Sequence, residues 1–234
     1  MKAKIKQKKV IAKGTLLVEF ELVNEEIDFQ PGQFFFVTLP KLFYPDERGD
    51  RRHFTIINSP KQKNTLSFAT RLRDSGFKKT LEKLPLETVV EVGPIRGSFV
   101  LPKDQANLVF IAGGIGITPY IAMLKYISDF NLNYKITLLY SNSDEESTAF
   151  LEELKKLENS LANFKLVLTM TQQDSWPAEK GRIDSQLVKK YLSDYENKLF
   201  FVSGPPAMVE ATKKELLSLG IKEENLKSEN FTGY

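Results

Sequence analysis

A glycine-rich segment, Ala112-Gly113-Gly114-Ile115-Gly116-Ile117-Thr118-Pro119, follows an apolar run and precedes a helical pattern. Glycines at a strand-to-helix turn let the backbone approach a pyrophosphate closely, and the helix N-terminus adds N–H donors and a positive dipole. Pro119 suits the first helical position, although it stands where the common dinucleotide motif has its third glycine. The segment predicts a nucleotide-phosphate site, and an ordinary tight turn is the alternative.

A second turn of this kind, Ser203-Gly204-Pro205-Pro206-Ala207-Met208, ends the last apolar run of the chain. Ligands of open α/β sheets bind beyond the carboxyl ends of the strands. Two glycine-containing turns on one sheet edge would therefore suit a single extended ligand. The alternative is that the two prolines simply begin a helix.

The segment Arg51-Arg52-His53-Phe54-Thr55 could bind both a phosphate and a flat ring. On a strand, Arg52 and Phe54 share one face, while His53 and Thr55 share the other. An arginine can bind phosphate oxygens through two N–H groups, and an aromatic ring can lie along a heterocycle. The alternative is a surface arginine beside a core phenylalanine.

Ser75 is a predicted N-cap for a short helix over about residues 76–84. The N–H groups of Gly76, Phe77 and Lys78 would then be free to bind an anion. The alternative is an ordinary capped helix with solvated lysines.

The composition excludes several kinds of chemistry. The chain has 234 residues, no cysteine and one histidine, His53. Disulfides, iron–sulfur ligation and thiolate chemistry are therefore excluded, and a histidine triad or a metal site is not expected. Any redox chemistry must then come from a bound organic cofactor.

The charge and hydropathy of the chain limit its partners and location. A net charge of +3 gives no argument for nucleic acid. No apolar run approaches the ~20 residues that cross a bilayer, and the N-terminal segment lacks the apolar region of a signal peptide. We therefore predict a cytoplasmic protein without a membrane span.

The two halves of the chain differ in pattern. Residues 1–102 contain short β-like runs, at 10–22, 33–39, 53–57, 65–72 and 88–95, which are typical of an antiparallel β-barrel. The second half alternates apolar runs with helical stretches, which indicates a parallel sheet covered by helices. The runs lie at 107–113, 135–141, 165–171 and 198–204, and the helical stretches near 119–130, 147–159, 184–194 and 206–219. We therefore predict two domains, an antiparallel β-barrel over 1–102 and an α/β domain over 103–234.

These motifs, in this order, resemble those of the ferredoxin–NADP reductase superfamily over nearly the whole chain. Residues 52–55 are similar to the family's Arg-x-Tyr-Ser/Thr flavin motif, and residues 114–119 to its Gly-x-Gly-x-x-Pro nicotinamide motif. Residues 203–206 resemble its Cys-Gly-x-Pro-like turn, and residues 93–99 the Gly-Pro-x-Gly-x-Phe stretch that closes the flavin barrel. The resemblance implies a flavin-binding barrel followed by an NAD(P)-binding α/β domain.

The resemblance also implies roles for individual residues. Arg52 and the N–H groups of residues 76–78 would contact the FAD pyrophosphate, and Phe54, in the place of the usual Tyr, would lie beside the isoalloxazine. Thr55 would bind near flavin N5 and Tyr234 would cover the other flavin face, so these two are the candidate catalytic residues. The implied cofactor-binding residues are Arg52, Phe54, Thr55, Ile56, Thr70, Arg71, Gly76, Phe77 and Lys78 in the first half, and Gly114, Gly116, Thr118, Pro119, Asn142, Arg182, Gly204, Pro205, Met208 and Tyr234 in the second.

The activity that the resemblance implies is hydride transfer from NADH or NADPH to FAD, followed by release of electrons to a redox protein such as ferredoxin or flavodoxin. Ser203 stands where many relatives have a cysteine near the nicotinamide. A free-flavin or quinone reductase, with a small-molecule acceptor, is one alternative. A flavin-binding electron-transfer subunit of a larger complex is another.

Nucleotide preference depends on the adenosine 2′ position. The segments expected near it, Ser141–Glu146 and Thr171–Asp174, are polar and acidic, which favours NADH over NADPH. Arg182, in a Gly-Arg-Ile stretch, resembles an arginine that contacts the 2′-phosphate in some relatives. It could equally pair with a surface acid.

Lysines at positions 2, 4, 6 and 8 would share one face of a strand. An acidic acceptor protein could dock on such a face. The alternative is that these lysines protect an edge strand from aggregation.

Overall fold

The structure is a computed structural model, and it describes residues 1–232. The chain divides into two compact units. One contains Met1–Leu101 and Thr118–Asp129, and the other contains Pro102–Ile117 and the chain from Phe130 onward. The helix that follows the glycine-rich turn thus groups with the first unit, and the domain boundary near residue 102 stays a prediction.

The first unit is a six-stranded antiparallel sheet with two helices. Its elements are β1 (Lys2–Ala12), β2 (Thr15–Leu22), β3 (Phe34–Thr38), β4 (Arg51–Thr55), β5 (Thr65–Arg71), β6 (Val89–Arg96), α1 (Gly76–Lys83) and α2 (Thr118–Asp129). The strand order is β4-β3-β6-β1-β2-β5. Just beyond β4, Ile57 N–H donates to Ser67 O of β5 at 2.9 Å, which joins the two outer strands and closes the sheet into a barrel.

The side chains that face into this barrel form its core. Phe20, Phe35 and Phe68, from three different strands, are fully buried and their rings contact one another. The helix α1 adds Phe77 and Leu81, which are also fully buried, so its apolar face covers one side of the core. This packing fixes where α1 begins, and therefore where its N-terminal N–H groups lie.

The second unit is a six-stranded parallel sheet with helices. Its elements are β7 (Asn107–Gly113), β8 (Lys135–Asn142), β9 (Phe164–Met170), β10 (Glu179–Lys180), β11 (Leu199–Gly204), β12 (Leu226–Asn230), α3 (Leu151–Ser160), α4 (Ser185–Tyr191) and α5 (Pro206–Ser218). The strand order is β10-β9-β8-β7-β11-β12, and a 3₁₀ turn over Gly114–Ile117 follows β7. The predicted fold class, an antiparallel sheet followed by a parallel α/β sheet, is confirmed.

Three local features differ from the sequence prediction. The run at 10–22 is two strands, because Lys13 and Gly14, with Gly14 at φ +65°, turn the chain back on itself. The helix expected from residue 147 begins at Leu151, because Phe150 adopts a left-handed conformation and the preceding residues are folded into a turn by Asp144. β12 was not predicted, since LKSEN has no apolar run.

The four N-terminal lysines do not share one face. A bulge between Ile5 and Gln7 shifts the alternation of β1, so that Lys8 lies opposite the fully buried Val18. β1 lies between β6 and β2, so it is not an edge strand either. The prediction that the four lysines share one strand face is therefore wrong. Lys4 pairs with Glu87, and Lys6, which lies in the bulge, pairs with Glu21 and Glu87.

Lys8 instead reaches the C-terminal end of α1. Its Nζ donates to Glu82 O at 2.6 Å and also contacts the carbonyls of Leu81 and Leu84. The last carbonyls of a helix have no partner within the helix, and a cation there also interacts favourably with the helix dipole.

Within the part of the chain described, no helix is long and apolar enough to cross a membrane.

We predict that Lys8→Met lowers the free energy of unfolding by about 1–2 kcal/mol, because the carbonyls at the end of α1 lose a charged donor. The measurement is chemical denaturation of both proteins. Lys9→Met, which removes an exposed lysine from the next position, is the control and should change stability little. Equal losses in the two variants would contradict this role of Lys8.

Candidate functional site

A carboxylate lies at the N-terminus of α1. Asp46, from the loop between β3 and β4, accepts hydrogen bonds from Phe77 N–H and Ser75 Oγ–H, both at 2.9 Å. Its other oxygen accepts from Arg48 N–H at 3.0 Å and forms an ion pair with Arg52. Ser75 is the N-cap, as predicted, and accepts from Lys78 N–H.

The prediction that the first N–H groups of α1 are free to bind an anion is therefore wrong for Phe77 and Lys78. Asp46 takes the N–H of Phe77, and Ser75 takes that of Lys78. The carboxylate comes from about thirty residues upstream, which a motif search along one helix does not find.

Asp46 stays ionised at any physiological pH, because its pKa is lowered to about 2. Burial alone would raise this pKa. The hydrogen bonds from Phe77, Ser75 and Arg48, together with the charge of Arg52, outweigh the burial. Asp46 is thus a permanent negative charge at the positive end of α1.

Arg52 is largely engaged within the chain. Its Nη1 lies 2.7 Å from the carbonyl oxygens of both Arg48 and Arg51 and 3.0 Å from that of Gly49, and its Nη2 pairs with Asp46. The side chain is 11% exposed. These contacts make Arg52 a clamp on the β3–β4 loop, which leaves few N–H groups for the predicted contact with a phosphate.

Lys78 carries a buried ammonium group beside three arginines. The residue is 7% exposed. Burial, followed by the charges of Arg73, Arg52 and Arg48, lowers the pKa of Lys78 to about 8. We call Arg48, Arg52, Arg73 and Lys78 the cation cluster. From the sequence, only the backbone N–H of Lys78 was expected at the site, and the role of its side chain was not predicted.

Phe54 is a core residue. It is 5% exposed, and its ring stacks on that of Phe68 with centroids 3.9 Å apart and an interplanar angle of 15°. Phe35 lies opposite Phe54 on β3 and is also buried. The expected position of Phe54 beside a flavin is therefore not favoured, and the alternative of a core phenylalanine fits the structure.

The other face of β4 presents His53 to solvent. Its ring lies 5.1 Å from that of Phe34 and 5.7 Å from that of Phe36. Burial and the charge of Arg48 lower the pKa of His53, so the ring is neutral at pH 7. Thr55, on the same face, lies opposite Phe34 and is 7% exposed.

The remaining candidates of the first unit have mainly structural contacts. Ile56 and Thr70 are fully buried. Arg71 donates to Lys13 O at 2.9 Å, at the turn between β1 and β2. Thr118 and Pro119, at the start of α2, are buried and group with this unit.

In the second unit the two predicted turns pack directly against each other. A Cβ at Gly116 would collide with Ser203 O, and one at Gly204 would lie 2.7 Å from the sulfur of Met208. The hydroxyl of Ser203 donates to Gly116 O at 2.6 Å. The lack of side chains at these glycines lets the backbone pack closely, and the Ser203 hydrogen bond joins the two turns at the carboxyl ends of β7 and β11.

Tyr140 and Pro205 complete this edge. The Tyr140 hydroxyl donates to Gly114 O at 3.0 Å and is 3.3 Å from Ala149 O, so it connects the first turn to the segment after β8. Gly114 adopts φ +52°, which favours glycine. Pro205 is exposed and precedes α5.

Three residues on the carboxyl side of this sheet hold buried polar atoms without a hydrogen-bond partner among residues 1–232. They are Asn142, through both side-chain atoms, Trp176 through Nε1, and Glu229 through Oε2. Asn142 ends β8, Trp176 follows β9, and Glu229 lies opposite Ser203 at the end of β11. Buried polar groups are nearly always hydrogen-bonded, so this edge is suited to a polar ligand or to water.

Glu229 was not among the predicted site residues. Burial raises its pKa to about 7, so its carboxyl group is partly protonated at neutral pH. Neither β12 nor a buried carboxyl group on it could be read from a segment as polar as LKSEN.

Arg182 is exposed, and it makes no hydrogen bond or ion pair with the residues that the structure describes. The preceding Gly181 donates to Met170 O, and Met170 pairs with Asn142, so Arg182 starts near the same sheet edge. A pair between Arg182 and a surface acid is thus not present among the described residues. Asp144, one of the acids expected near the adenosine 2′ position, accepts a hydrogen bond from Ser147 N–H at 2.7 Å within its own loop.

Tyr234, a predicted catalytic residue, lies outside the described residues. Two groups of the other predicted site residues come together. Arg52, Phe77 and Lys78 meet at the start of α1, while Gly116, Gly204 and their neighbours meet at the carboxyl edge of the parallel sheet.

Two domain families match the chain. The family described as "Oxidoreductase FAD-binding domain" matches residues 2–101. The family described as "Oxidoreductase NAD-binding domain" matches residues 110–214. Their order is the one that the motifs predicted.

Two proteins with similar sequences are named as an electron transfer component and as a reductase subunit. The anthranilate 1,2-dioxygenase electron transfer component of Acinetobacter baylyi is 28% identical over 88% of this chain and 59% of its own length. A subunit of the Na(+)-translocating NADH-quinone reductase of Psychrobacter cryohalolentis is 28% identical over 81% of this chain and 47% of its own length. The chain spans about half the length of these relatives.

Solved structures share the fold along the whole chain. The FAD/NAD-binding domain of nitric oxide dioxygenase from Vibrio cholerae has a TM-score of 0.85, with 17% identity and 98% of both chains covered. A ferredoxin NADP+ reductase from Neisseria gonorrhoeae, with bound FAD and NADP, has a TM-score of 0.81, with 20% identity and 98% of both chains covered. The chain therefore belongs to the oxidoreductases with an FAD-binding and an NAD-binding domain, and it has the fold of the ferredoxin–NADP reductase superfamily.

Proposed function

We propose that this chain is an electron-transfer reductase, which takes electrons from a nicotinamide dinucleotide and passes them through FAD to a separate redox protein. The observation that carries the proposal is the cation cluster at the start of α1, within a domain of an FAD-binding family. The relatives, which are named as an electron transfer component and as part of an NADH-quinone reductase, support a protein acceptor such as a ferredoxin or flavodoxin.

The cation cluster fits the diphosphate of FAD. Four cations against the carboxylate of Asp46 leave a surplus of positive charge. Burial, and after it the charges of Arg73, Arg52 and Arg48, lowers the pKa of Lys78, and a bound diphosphate would offset the repulsion among these cations. Arg48 and Arg73 are exposed, so they can bind the ligand without breaking internal contacts.

The face of β4 that carries His53 and Thr55 fits the flavin ring better than the face that carries Phe54. The neutral His53 ring and the neighbouring Phe34 offer an aromatic surface, whereas Phe54 is covered by Phe68. We therefore propose His53 as the ring beside the isoalloxazine, and we retain Thr55 as the hydroxyl near flavin N5.

The carboxyl edge of the parallel sheet fits the nicotinamide dinucleotide. Asn142 supplies a buried amide with neither atom satisfied, and Trp176 supplies an unpaired N–H donor. Gly114 and Pro205 are accessible at the turns that a dinucleotide would follow, while Gly116, Gly204 and Ser203 fix the shape of those turns. Glu229 adds a carboxyl group that can hold or release a proton near pH 7.

FAD, when bound, accepts a hydride and can release electrons one at a time. The chain's own residues bind and orient. Lys78 and its arginines hold the diphosphate, Thr55 and His53 set the flavin ring, and the Ser203 hydrogen bond keeps the nucleotide turns in one geometry. No side chain of this set needs to form a covalent bond with a substrate.

We propose domain limits of 1–102 for the FAD-binding part and 103–234 for the NAD(P)-binding part. A second candidate function is a subunit of a larger electron-transfer complex, which the relatives' length and names favour. A cytoplasmic location stays a prediction.

The proposed activity is tested by stopped-flow reduction of the bound flavin, followed by steady-state turnover with two acceptors. We expect rapid bleaching of the flavin by a nicotinamide dinucleotide and faster turnover with a [2Fe–2S] ferredoxin than with free FMN at equal concentration. Faster turnover with free FMN would identify a flavin reductase instead. Elution of the protein from a native extract at well above 26.7 kDa would favour the complex subunit.

We predict that FAD affinity falls as pH rises above about 8. Lys78 is protonated below its pKa of about 8 and neutral above it, so a diphosphate loses a charged partner as pH rises. Lys78→Met should weaken FAD binding at pH 7 by roughly tenfold or more, which corresponds to about 1.5–3 kcal/mol, and should flatten the pH profile.

Lys79→Met is the matched control for this prediction, because Lys79 is exposed and pairs with Asp74. Its FAD affinity should follow the wild-type pH profile. A wild-type affinity that is constant from pH 7 to 9.5 would rule out Lys78 as a phosphate ligand.

We predict a preference for NADH. The loop after β8 contributes acids and no basic residue over Asn142–Glu146, which disfavours a 2′-phosphate. We expect kcat/KM to be higher for NADH than for NADPH in the wild type. In Arg182→Ala, the ratio of the two kcat/KM values should change less than about threefold. Lys189→Ala on α4 is the charge-matched control. A wild-type preference for NADPH above about tenfold, ~1.4 kcal/mol, that is lost only in Arg182→Ala would overturn this assignment.

A further inference from the structure

The β3–β4 loop is seated against the first turn of α1. A Cβ at Gly76 would lie 2.6 Å from Tyr44 O and would also collide with the carbonyl of Pro45. Phe43 N–H donates to Thr80 Oγ1 at 2.9 Å, one turn further along the helix. The loop therefore follows α1 closely, and only a glycine at position 76 allows this approach.

This loop delivers Asp46 to the donors that a phosphate would otherwise use. Its side chain is 7% exposed and contacts Phe77 N–H, the Ser75 hydroxyl and Arg52. A phosphate bound at the same N–H would have to expel the carboxylate and break all three contacts.

Arg52 and Asp46 depend on each other. Arg52 holds the carbonyls of Arg48, Gly49 and Arg51, and Asp46 holds the guanidinium in that position. Arg48, a member of the cation cluster, lies in the same loop, and its N–H donates to Asp46. Asp46 therefore helps to fix where two members of the cluster, Arg52 and Arg48, lie.

We propose that Asp46 is a positioning residue of the FAD site, which stays at the start of α1 when FAD binds and directs the diphosphate to Lys78, Arg73 and Arg48. The carboxylate of Asp46 thus holds Arg52 and the backbone of Arg48 in place beside the diphosphate site. The inference rests on the proposed function, because it takes the cation cluster to be the diphosphate site.

The direction in which FAD affinity changes when Asp46 loses its charge distinguishes this proposal from simple repulsion between Asp46 and the diphosphate. If Asp46 only repels or competes with the diphosphate, then removal of its charge tightens FAD binding. If Asp46 positions Arg52 and Arg48, then removal of its charge releases the loop and weakens FAD binding.

The experiment compares Asp46→Asn with Asp74→Asn in the full chain. Asp74 is also close to the start of α1 in sequence, but its side chain is 91% exposed and pairs with Lys79, so it controls for the change in net charge. Affinities for FAD and for lumiflavin, which lacks the ribityl chain and the phosphates, are measured by fluorescence titration. We expect FAD affinity to fall about tenfold or more in Asp46→Asn only, with lumiflavin affinity within about twofold of wild type in both variants.

Tighter FAD binding by Asp46→Asn would overturn the proposal, and so would equal losses for FAD and lumiflavin, which indicate general loss of structure. Asp46→Glu, which keeps the charge, should recover part of the FAD affinity, and no recovery would also count against the proposal. Failure of the diphosphate site itself is separately visible, because Lys78→Met would then leave FAD affinity unchanged whatever Asp46→Asn does.

Discussion

The ion pair between Asp46 and Arg52 is the contact on which the start of α1 depends. The ion pair joins the β3–β4 loop to the strand that follows it, and the same carboxylate accepts a hydrogen bond from Phe77 at the positive end of α1. With a pKa of about 2, Asp46 is charged at neutral pH. The cations nearby can therefore be held together in a partly buried place, although Lys78 is still disfavoured in its charged form.

The second unit uses a different constraint, which is close approach of backbone. A Cβ at Gly116 would meet the backbone of Ser203 in the other turn, and a Cβ at Gly204 would meet the sulfur of Met208. The Ser203 hydrogen bond then fixes the pair at the carboxyl edge, where Asn142, Trp176 and Glu229 have unsatisfied polar atoms. The backbone of the two turns is thus fixed by contacts within the chain, while the polar atoms beside them still lack hydrogen-bond partners that a ligand could supply.

The pattern of the sequence was sufficient for the fold class and for most elements, because apolar runs and helical periodicity reflect burial directly. It failed where a single residue changes the geometry. The bulge after Ile5 turns Lys8 inward, the left-handed Phe150 delays α3, and the polar β12 carries no periodic signal.

The candidate site was predictable in its motifs and not in its contacts. The start of α1 and the turns at Gly114 and Gly204 were identified from residue types that need special backbone. Asp46, the Lys78 side chain and Glu229 were not, because each depends on partners or on burial that only the folded chain creates. Phe54 shows the reverse case, since a motif position that suggested a cofactor contact is occupied by a core ring.

A crystal structure of the chain with FAD bound tests this account most directly. The account predicts a diphosphate oxygen within about 3 Å of Lys78 Nζ, with Asp46 still accepting from Phe77 N–H and still paired with Arg52. A diphosphate that binds Phe77 N–H, with Asp46 turned away from α1, would contradict it.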